Sequence, residues 1–205
     1  MGRSRRHWED IYTATGETAV SWYQPHAARS LQLIESASPD RRASVIDIGG
    51  GASTLVDDLL AGGFTDIAVL DIAEPALARA KARLGERADR VDWITADITR
   101  WKPGRRWDIW HDRAVFHFLT SAQERQRYRL HLLETLNRGG SAIVATFSLD
   151  GPDKCSGLPV QRYSADTLSA ELGPELAMIE ALPHVHTTPW GSRQPFVYCR
   201  FRRVN

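Results

Sequence analysis

The sequence predicts an α/β domain in which a mostly parallel β-sheet is covered by helices on both faces. From residue 43 onward, short apolar runs alternate with helical patterns, which is the signature of a parallel sheet. Residues 141–149, SAIVATFSL, form a nearly continuous apolar run, as expected of a strand buried on both faces. A glycine triplet, residues 49–51, stands where the first strand of this alternation meets its first helix. An open sheet of this kind binds ligands at the carboxyl ends of its strands.

The composition is that of an ordinary folded domain. The chain has 205 residues, of which 42% are hydrophobic and 25% charged, and we expect a single domain over residues 1–205. Lys and Arg number 26 against 25 Asp and Glu, so no overall field attracts nucleic acid or an anionic membrane, and neither is expected as a partner. No apolar run is long enough to cross a bilayer. The two cysteines lack CxxC spacing, and we expect free thiols in the cytoplasm.

Strands and helices alternate between residues 43 and 98, and proline and glycine residues stand where the helices are predicted to begin and end. The predicted elements are strand 43–48, helix 53–63, strand 66–72, helix 74–85 and strand 91–98. Pro75 suits the first turn of its helix, where its missing N–H is not needed. Gly62, Gly63 and Gly85 suit the ends of the two helices.

The second half continues the pattern and then departs from it. Strand 107–111 leads to a helix that opens with Ser121 and Glu124 at capping-box spacing and that Asn137 to Gly140 are predicted to end. Strand 141–149, a loop and a short helix capped by Ser164 follow. The last two apolar runs, 176–188 and 195–203, have no helix between them, so they are predicted to pair antiparallel at a sheet edge. Residues 26–37 predict a further helix before the alternation, and residues 5–14 a shorter one.

The glycine turn and the acids around it indicate the kind of ligand. Glycine at a strand-to-helix turn lets a ligand approach the main chain at a helix start. Asp71 closes the second strand, where a carboxylate accepts hydrogen bonds from a ribose diol. The dinucleotide pattern G-x-G-x-x-G would need glycine where this chain has Thr54. Asp47 suits a ligand with an ammonium group, so a nicotinamide-dependent reductase is disfavoured.

These segments resemble the motifs of the class I S-adenosylmethionine-dependent methyltransferases. DIGGGAS is similar to the acidic glycine-rich first motif of the family, VLDI to the second and TADIT to the third. WDIWHDRAVF resembles the segment around the end of the fourth strand, and LNRGGSAIVATF the entry to the fifth. The resemblance runs in order from about residue 43 to 147. It implies a seven-stranded Rossmann-like sheet with a terminal antiparallel pair.

The resemblance also implies a cofactor and the residues that hold it. The cofactor is S-adenosylmethionine and the product S-adenosylhomocysteine. The implied domain organisation is an N-terminal helical lid segment (1–42), a cofactor-binding core (43–147), and a loop, helix and terminal strand pair (148–205). The predicted cofactor-binding residues are Trp22, Asp47, Gly49, Gly50, Gly51, Asp71, Ile72, Asp97, Ile98 and His111.

The N-terminal aromatic residues are candidates for a lid. Trp8, Tyr12, Trp22 and Tyr23 lie in a segment too short to bury them in a core of its own. Aromatic rings can shield a sulfonium through cation–π attraction. The alternative is that they pack the segment onto the edge of the sheet, and both roles are compatible.

The stretch WHDRAVFHFL, residues 110–119, supplies the candidate catalytic residues. Asp112 is predicted to line the methyl-transfer pocket, and His117 is predicted to act there as a base, since histidine titrates near neutral pH. No metal site is predicted. His184 and His186 share one strand face, but no third ligand of suitable spacing accompanies them.

The methyl acceptor stays open at this point. HDRAVFHFL is similar to the D-K-G-T-L-D motif of the methyltransferases that act on lysines of elongation factor 1A and citrate synthase, with Asp112 and Arg113 at its first two positions. His117 stands where that motif ends in an acid, which favours a small-molecule nitrogen, oxygen or sulfur acceptor instead. A binding module that keeps the cofactor without chemistry is the alternative of another class.

Overall fold

The computed structural model describes residues 3–204, apart from the side chains of residues 3, 4 and 17. The helices are α1 (Arg3–Ala14), α2 (Ala28–Ala37), α3 (Leu55–Ala61), α4 (Glu74–Leu84), α5 (Ala122–Thr135) and α6 (Ala165–Leu172). The strands are β1 (Val45–Ile48), β2 (Ile67–Asp71), β3 (Val91–Thr95), β4 (Trp107–Arg113), β5 (Leu136–Phe147), β6 (Lys154–Cys155), β7 (Leu158–Pro159), β8 (Leu176–Thr187) and β9 (Arg193–Arg203). Three 3₁₀ segments lie in the described residues, at Glu17–Ala19, Gly85–Arg90 and Phe116–Phe118.

Seven strands form one sheet in the order β3-β2-β1-β4-β5-β9-β8. Strands β1 to β5 are parallel, β9 runs antiparallel to β5, and β8 pairs antiparallel with β9 at the edge. The strand order reverses between β1 and β4, and a ligand crevice forms at such a point in an open sheet. The predicted fold class, including the terminal antiparallel pair, is confirmed.

Helices cover both faces of the sheet, and each face has its own apolar core. On one face, Leu33 and Ile34 of α2 and Leu59 of α3 pack with Ile109 of β4. On the other face, Tyr128 of α5 packs in the second apolar core. Successive side chains of a strand point to opposite faces, so neighbouring residues of β4 enter different cores.

Helix α5 ends earlier than its predicted boundary. Asn137 to Gly140 were predicted to end the helix, but the last helical residue is Thr135. Leu136 is fully buried and already pairs with Trp107 of β4, so burial and strand pairing of Leu136 decide the boundary. At its start the helix is capped as predicted, with the Glu124 N–H donating to Ser121 Oγ at 3.2 Å.

Within residues 3–204, the structure contains no helix with the length and apolar character needed to cross a membrane.

Candidate functional site

A cavity of about 150 Å³ opens above the carboxyl ends of β1 to β4. It lies at the crevice that the strand order predicts. Nine of the ten predicted cofactor residues line it, and these are Trp22, Asp47, Gly49, Gly50, Asp71, Ile72, Asp97, Ile98 and His111. The tenth, Gly51, is not in the cavity wall and lies behind it against Asp71.

The glycine turn is needed because the chain passes very close to two acids. A Cβ on Gly50 would lie 2.5 Å from Asp47 Oδ2, and a Cβ on Gly51 would lie 2.7 Å from Asp71 Oδ2. Gly51 also has φ of +45°, in the region that favours glycine. The two glycines thus leave room for the carboxylates of β1 and β2 at one turn.

Asp71, the last residue of β2, is a buried carboxyl group at the cavity. Its Oδ1 accepts the Ala73 N–H at 2.8 Å, which orients the side chain. Burial raises the pKa of Asp71 to about 7, although the Ala73 N–H favours the ionised form. A ligand hydroxyl that donates to Asp71 would restore part of the solvation that burial removes.

Asp97 lies just beyond β3 and is held by its own turn. The backbone N–H and the hydroxyl of Thr99 both donate to Asp97 Oδ1, at 2.9 and 2.7 Å. Within the described residues, Oδ2 accepts no hydrogen bond. That oxygen remains available to a donor in the cavity, beside Ile98.

Asp47, His111 and Ser30 form a buried chain of hydrogen bonds in the cavity wall. Asp47 and His111 are opposite each other in the parallel β1–β4 pair, and their Oδ1 and Nδ1 atoms lie 2.7 Å apart. Because an ionised carboxylate can only accept, Nδ1 carries the proton of that bond. The other ring nitrogen, Nε2, lies 2.9 Å from Ser30 Oγ on α2. The pairing orients both side chains and leaves Asp47 Oδ2 on the side of the glycine turn.

Aromatic residues of the N-terminal segment form one wall of the cavity. Trp8 and Tyr12 of α1 meet Trp22 edge to face, with ring centroids 5.7 and 6.0 Å apart, and Trp8 meets Phe118 at 5.0 Å. All four side chains line the cavity. Trp8, Tyr12 and Trp22 thus pack against one another and line the cavity, whereas Tyr23 does not line it, and the role of the segment as a lid stays a prediction.

Asp112 was predicted to line the methyl-transfer pocket, but it is not in the cavity wall. Strand alternation points its carboxylate away from His111 and into the opposite core, where it is fully buried and accepts from Tyr128 Oη at 2.6 Å and from the Val115 N–H at 2.8 Å. Burial raises its pKa to about 6. Ala114, two residues later, has φ of +70°, and the hydrogen bond from the Val115 N–H to Asp112 stabilises the turn at this point. The expectation that Asp112 lines the methyl-transfer pocket is wrong in this geometry, since Asp112 instead supports the wall through Val115.

His117 is also outside the cavity wall. It lies in the 3₁₀ turn after β4 and is fully buried among the rings of Phe118, Phe147 and Phe196. Its Nδ1 accepts the Phe147 N–H at 3.3 Å. Burial, with the positive charge of Arg113, lowers the pKa of His117 to about 3. A ring so weakly basic and enclosed does not suit the predicted role of a base for an acceptor.

Arg113 and Ser30 line the cavity and were not predicted as site residues. Arg113 stands two residues after His111 on the same strand, so alternation places it on the cavity face, and this signal was present in the sequence. Ser30 lies on α2, far from the strand motifs in sequence, and its contact with His111 has no sequence signal.

The two histidines of β8 do not form a metal pair with a third ligand. His186 Nε2 lies 2.7 Å from the carbonyl oxygen of Ser21, and His184 packs edge to face on Tyr198. Among residues 3–204, no group of three or more His, Cys, Asp or Glu side chains is arranged to hold a metal ion.

Comparison with protein families and curated proteins gives a match that is centred on the same core. Residues 46–142, a little under half of the chain, match the family described as a methyltransferase domain. The mouse eEF1A lysine and N-terminal methyltransferase is 30% identical over 97 residues, which are 47% of this chain and 14% of the mouse protein. The chain therefore corresponds to only a small part of that relative.

Solved structures match over almost the whole chain. The N-methyltransferase NodS from Bradyrhizobium japonicum in complex with S-adenosyl-L-homocysteine has a TM-score of 0.75 and 18% identity, covering 98% of this chain and 99% of NodS. The 1,6-didemethyltoxoflavin-N1-methyltransferase of Burkholderia thailandensis has a TM-score of 0.68 and 18% identity, covering 98% of this chain and 84% of that enzyme. At these identities the likeness establishes the fold. Residues 46–142 thus match a methyltransferase domain, and the chain as a whole has the class I methyltransferase fold.

Proposed function

We propose that this protein transfers the methyl group of S-adenosylmethionine to a small-molecule acceptor and leaves S-adenosylhomocysteine. The observation that carries the proposal is the cavity above β1 to β4, where Asp47, Asp71 and Asp97 stand at three neighbouring strand ends beside a glycine turn. Acids at these places match the donors of the cofactor, namely its ammonium group, ribose hydroxyls and adenine amino group.

The residues present fit this cofactor. The space that a Cβ would fill at Gly50 and Gly51 is occupied by the carboxylates of Asp47 and Asp71, so the main chain, the acids and a ligand can meet at one turn. We assign Asp71 to the ribose diol, with Ile72 beside it. Asp97 and Ile98 take the adenine.

The amino-acid end of the cofactor is assigned to the other side of the turn. Gly49 and Gly50 bring the main chain close to it, and Asp47, oriented by His111, receives its ammonium group. Trp22 is assigned to the sulfonium, with cation–π attraction of about 0.5–2 kcal/mol.

The bound cofactor supplies an electrophilic methyl group on a sulfonium, which is a good leaving group. An acceptor lone pair forms the new bond to the methyl carbon while the carbon–sulfur bond breaks and its electron pair stays on sulfur. The chain then has to align the acceptor in line with that bond and exclude water. Trp8, Tyr12, Trp22 and Phe118 provide the apolar walls for this task.

A small-molecule acceptor is favoured by the solved neighbours that match almost the whole chain. One of these neighbours is an N-methyltransferase, and another is a 1,6-didemethyltoxoflavin-N1-methyltransferase with 1,6-didemethyltoxoflavin bound. A protein lysine is the second candidate, because the curated relative that matches the core is an eEF1A lysine methyltransferase. We place the activity in the cytoplasm, where the two free thiols, Cys155 and Cys199, would stay reduced.

The proposal is tested in two steps. Calorimetry with S-adenosylhomocysteine is expected to show one site per chain, and Asp71→Asn is expected to weaken it. The exposed Asp89→Asn serves as the matched control. Incubation with methyl-labelled S-adenosylmethionine and a cell extract, followed by separation of proteins from small molecules, identifies the acceptor class. Label in small molecules is expected, label in protein supports the lysine alternative, and binding without any transfer would leave only a cofactor-binding module.

A further inference from the structure

Arg113 is a cation without an acidic partner at the end of β4. Its Nη1 donates to the carbonyl oxygen of Trp22 at 3.1 Å, and its Nε donates to Tyr198 Oη at 3.1 Å. Its Cζ lies 5.2 Å from the centroid of the Phe196 ring. The remaining nitrogen, Nη2, is buried without a hydrogen-bond partner, and no carboxylate of the described residues pairs with Arg113.

The surroundings of Arg113 are neutral. The positive charge of Arg113 contributes to lowering the pKa of His117, His184 and His186. These three rings therefore lie near Arg113 and are favoured in their neutral form. Two acids of the neighbouring strand positions do not pair with Arg113. Asp47 pairs with His111, and Asp112 points into the opposite core. Arg113 as a whole is partly buried, and burial of its Nη2 is unfavourable unless a hydrogen-bond acceptor, best one of opposite charge, pairs with it.

Arg113 lies away from the predicted adenosine end of the cavity. Asp71 and Asp97 stand on β2 and beyond β3, on one side of β1, whereas Arg113 lies on β4 and bonds to Tyr198 of β9 on the other side. Neighbouring strands are about 4.8 Å apart, so β2 and β4 are separated by about 10 Å. The side chain nevertheless lines the same cavity.

We propose that Arg113 binds an anionic group, a carboxylate, of the methyl acceptor and thereby selects acidic acceptors. The clamp by Trp22, Tyr198 and Phe196 fixes the plane of the guanidinium before a ligand arrives. A planar guanidinium held in this way presents its free donors in the geometry that a carboxylate accepts. This inference rests on the proposed function and adds the substrate class to it.

The test uses pairs of aromatic amines that differ only in one charge. 4-Aminobenzoate and 4-aminobenzamide, and likewise the 2- and 3-amino isomers, are titrated calorimetrically into the full chain saturated with S-adenosylhomocysteine. The acid of at least one pair is expected to bind about tenfold or more tightly than its amide, because a hydrogen bond between two charged groups is stronger than one to a neutral amide.

Three variants connect this preference with Arg113. Arg113→Gln is expected to abolish the preference for the acid, and Arg113→Lys to keep part of it through the charge. Arg105→Gln removes a guanidinium that also lies over a ring, that of Trp107, and it is expected to keep the preference in full. Circular dichroism spectra of the variants show whether each is folded, and Arg113→Lys carries the test if Arg113→Gln does not fold.

The possible results separate the two proposals. If the wild-type protein does not bind S-adenosylhomocysteine, the proposed function fails. If it binds S-adenosylhomocysteine but no acid is preferred over its amide, the assignment of Arg113 is overturned and the proposed function stands. A loss of S-adenosylhomocysteine affinity of tenfold or more in Arg113→Gln, with the acid preference retained, would also overturn it, because Arg113 would then hold the carboxylate of the cofactor.

Discussion

Asp71 gives the cofactor site a pH dependence that is measurable before any acceptor is known. Burial holds the pKa of Asp71 at about 7, and ribose hydroxyls can donate to it fully only when it is ionised. Binding therefore favours the carboxylate, and affinity rises with pH through this range. A group of this pKa is about one-tenth ionised at pH 6 and about nine-tenths at pH 8, so S-adenosylhomocysteine is expected to bind about tenfold more tightly at pH 8.

Titration calorimetry at pH 6, 7 and 8, in two buffers of different ionisation enthalpy, measures both the affinity and the proton release. The wild-type protein is expected to release about half a proton from Asp71 on binding at pH 7. Asp71→Asn is expected to lose this contribution and to bind about tenfold or more weakly at pH 8, since the charged acceptor is gone. Asp89→Asn should retain the wild-type slope. Equal wild-type affinities at pH 6 and 8, or an unchanged slope in Asp71→Asn, would refute the reasoning.

The same pKa acts with the opposite sign on the stability of the ligand-free protein. The pKa of Asp71 is higher in the folded chain than in the unfolded chain, so its contribution to stability is fully present below about pH 4. That contribution is lost as the pH rises through about 7. The ligand-free Asp71→Asn variant is therefore expected to lose less thermal stability than the wild type between pH 5 and 8.

Three further substitutions test the geometry of the site. Gly51→Ala is expected to weaken S-adenosylhomocysteine binding and to lower stability by about 1–3 kcal/mol, because the added Cβ meets Asp71 at positive φ, and Gly104→Ala, with open space around its Cβ, serves as the control in calorimetry and denaturant unfolding. Asp112→Ala is expected to cost about 2–4 kcal/mol of stability in urea unfolding, because it removes the acceptor of the Tyr128 O–H and of the Val115 N–H; an unchanged unfolding midpoint would contradict this role. His117→Asn is expected to leave the pH profile of methyl transfer unchanged, and a profile that loses a limb would restore His117 as a base.

The sequence predicted the fold, and nine of the ten residues proposed from it for the cofactor line the cavity. Apolar patterns with the periods of strands and helices are local properties, so they predicted the alternation of the two, and the resemblance to a known family implied the seven-stranded sheet. Asp47, Asp71 and Asp97 were found because each stands within two residues of a strand end and because the crevice of such a sheet is at those ends.

The candidate catalytic residues could not be placed in the same way. Asp112 follows His111 directly, and sequence proximity suggested one site, whereas strand alternation sends the two side chains into opposite cores. His117 lies in a 3₁₀ turn, whose facing depends on the phenylalanines of β5 and β9 that surround it. Ser30 reaches His111 from a helix 81 positions earlier, a contact that only tertiary packing creates.

With Asp112 and His117 outside the cavity wall, the charge of Arg113 bears on the protonation of an acceptor amine. A cation near an amine favours the neutral form of the amine, as Arg113 already does for the imidazole rings of His184 and His186. A carboxylate bound at Arg113 would offset most of this field, so desolvation in the cavity would be the effect that lowers the pKa of the amine of such an acceptor. The lone pair that attacks the methyl group would then be free without a protein base. Since methyl transfer needs alignment and a free lone pair more than proton abstraction, Arg113 would supply the alignment and the apolar walls of the cavity the desolvation.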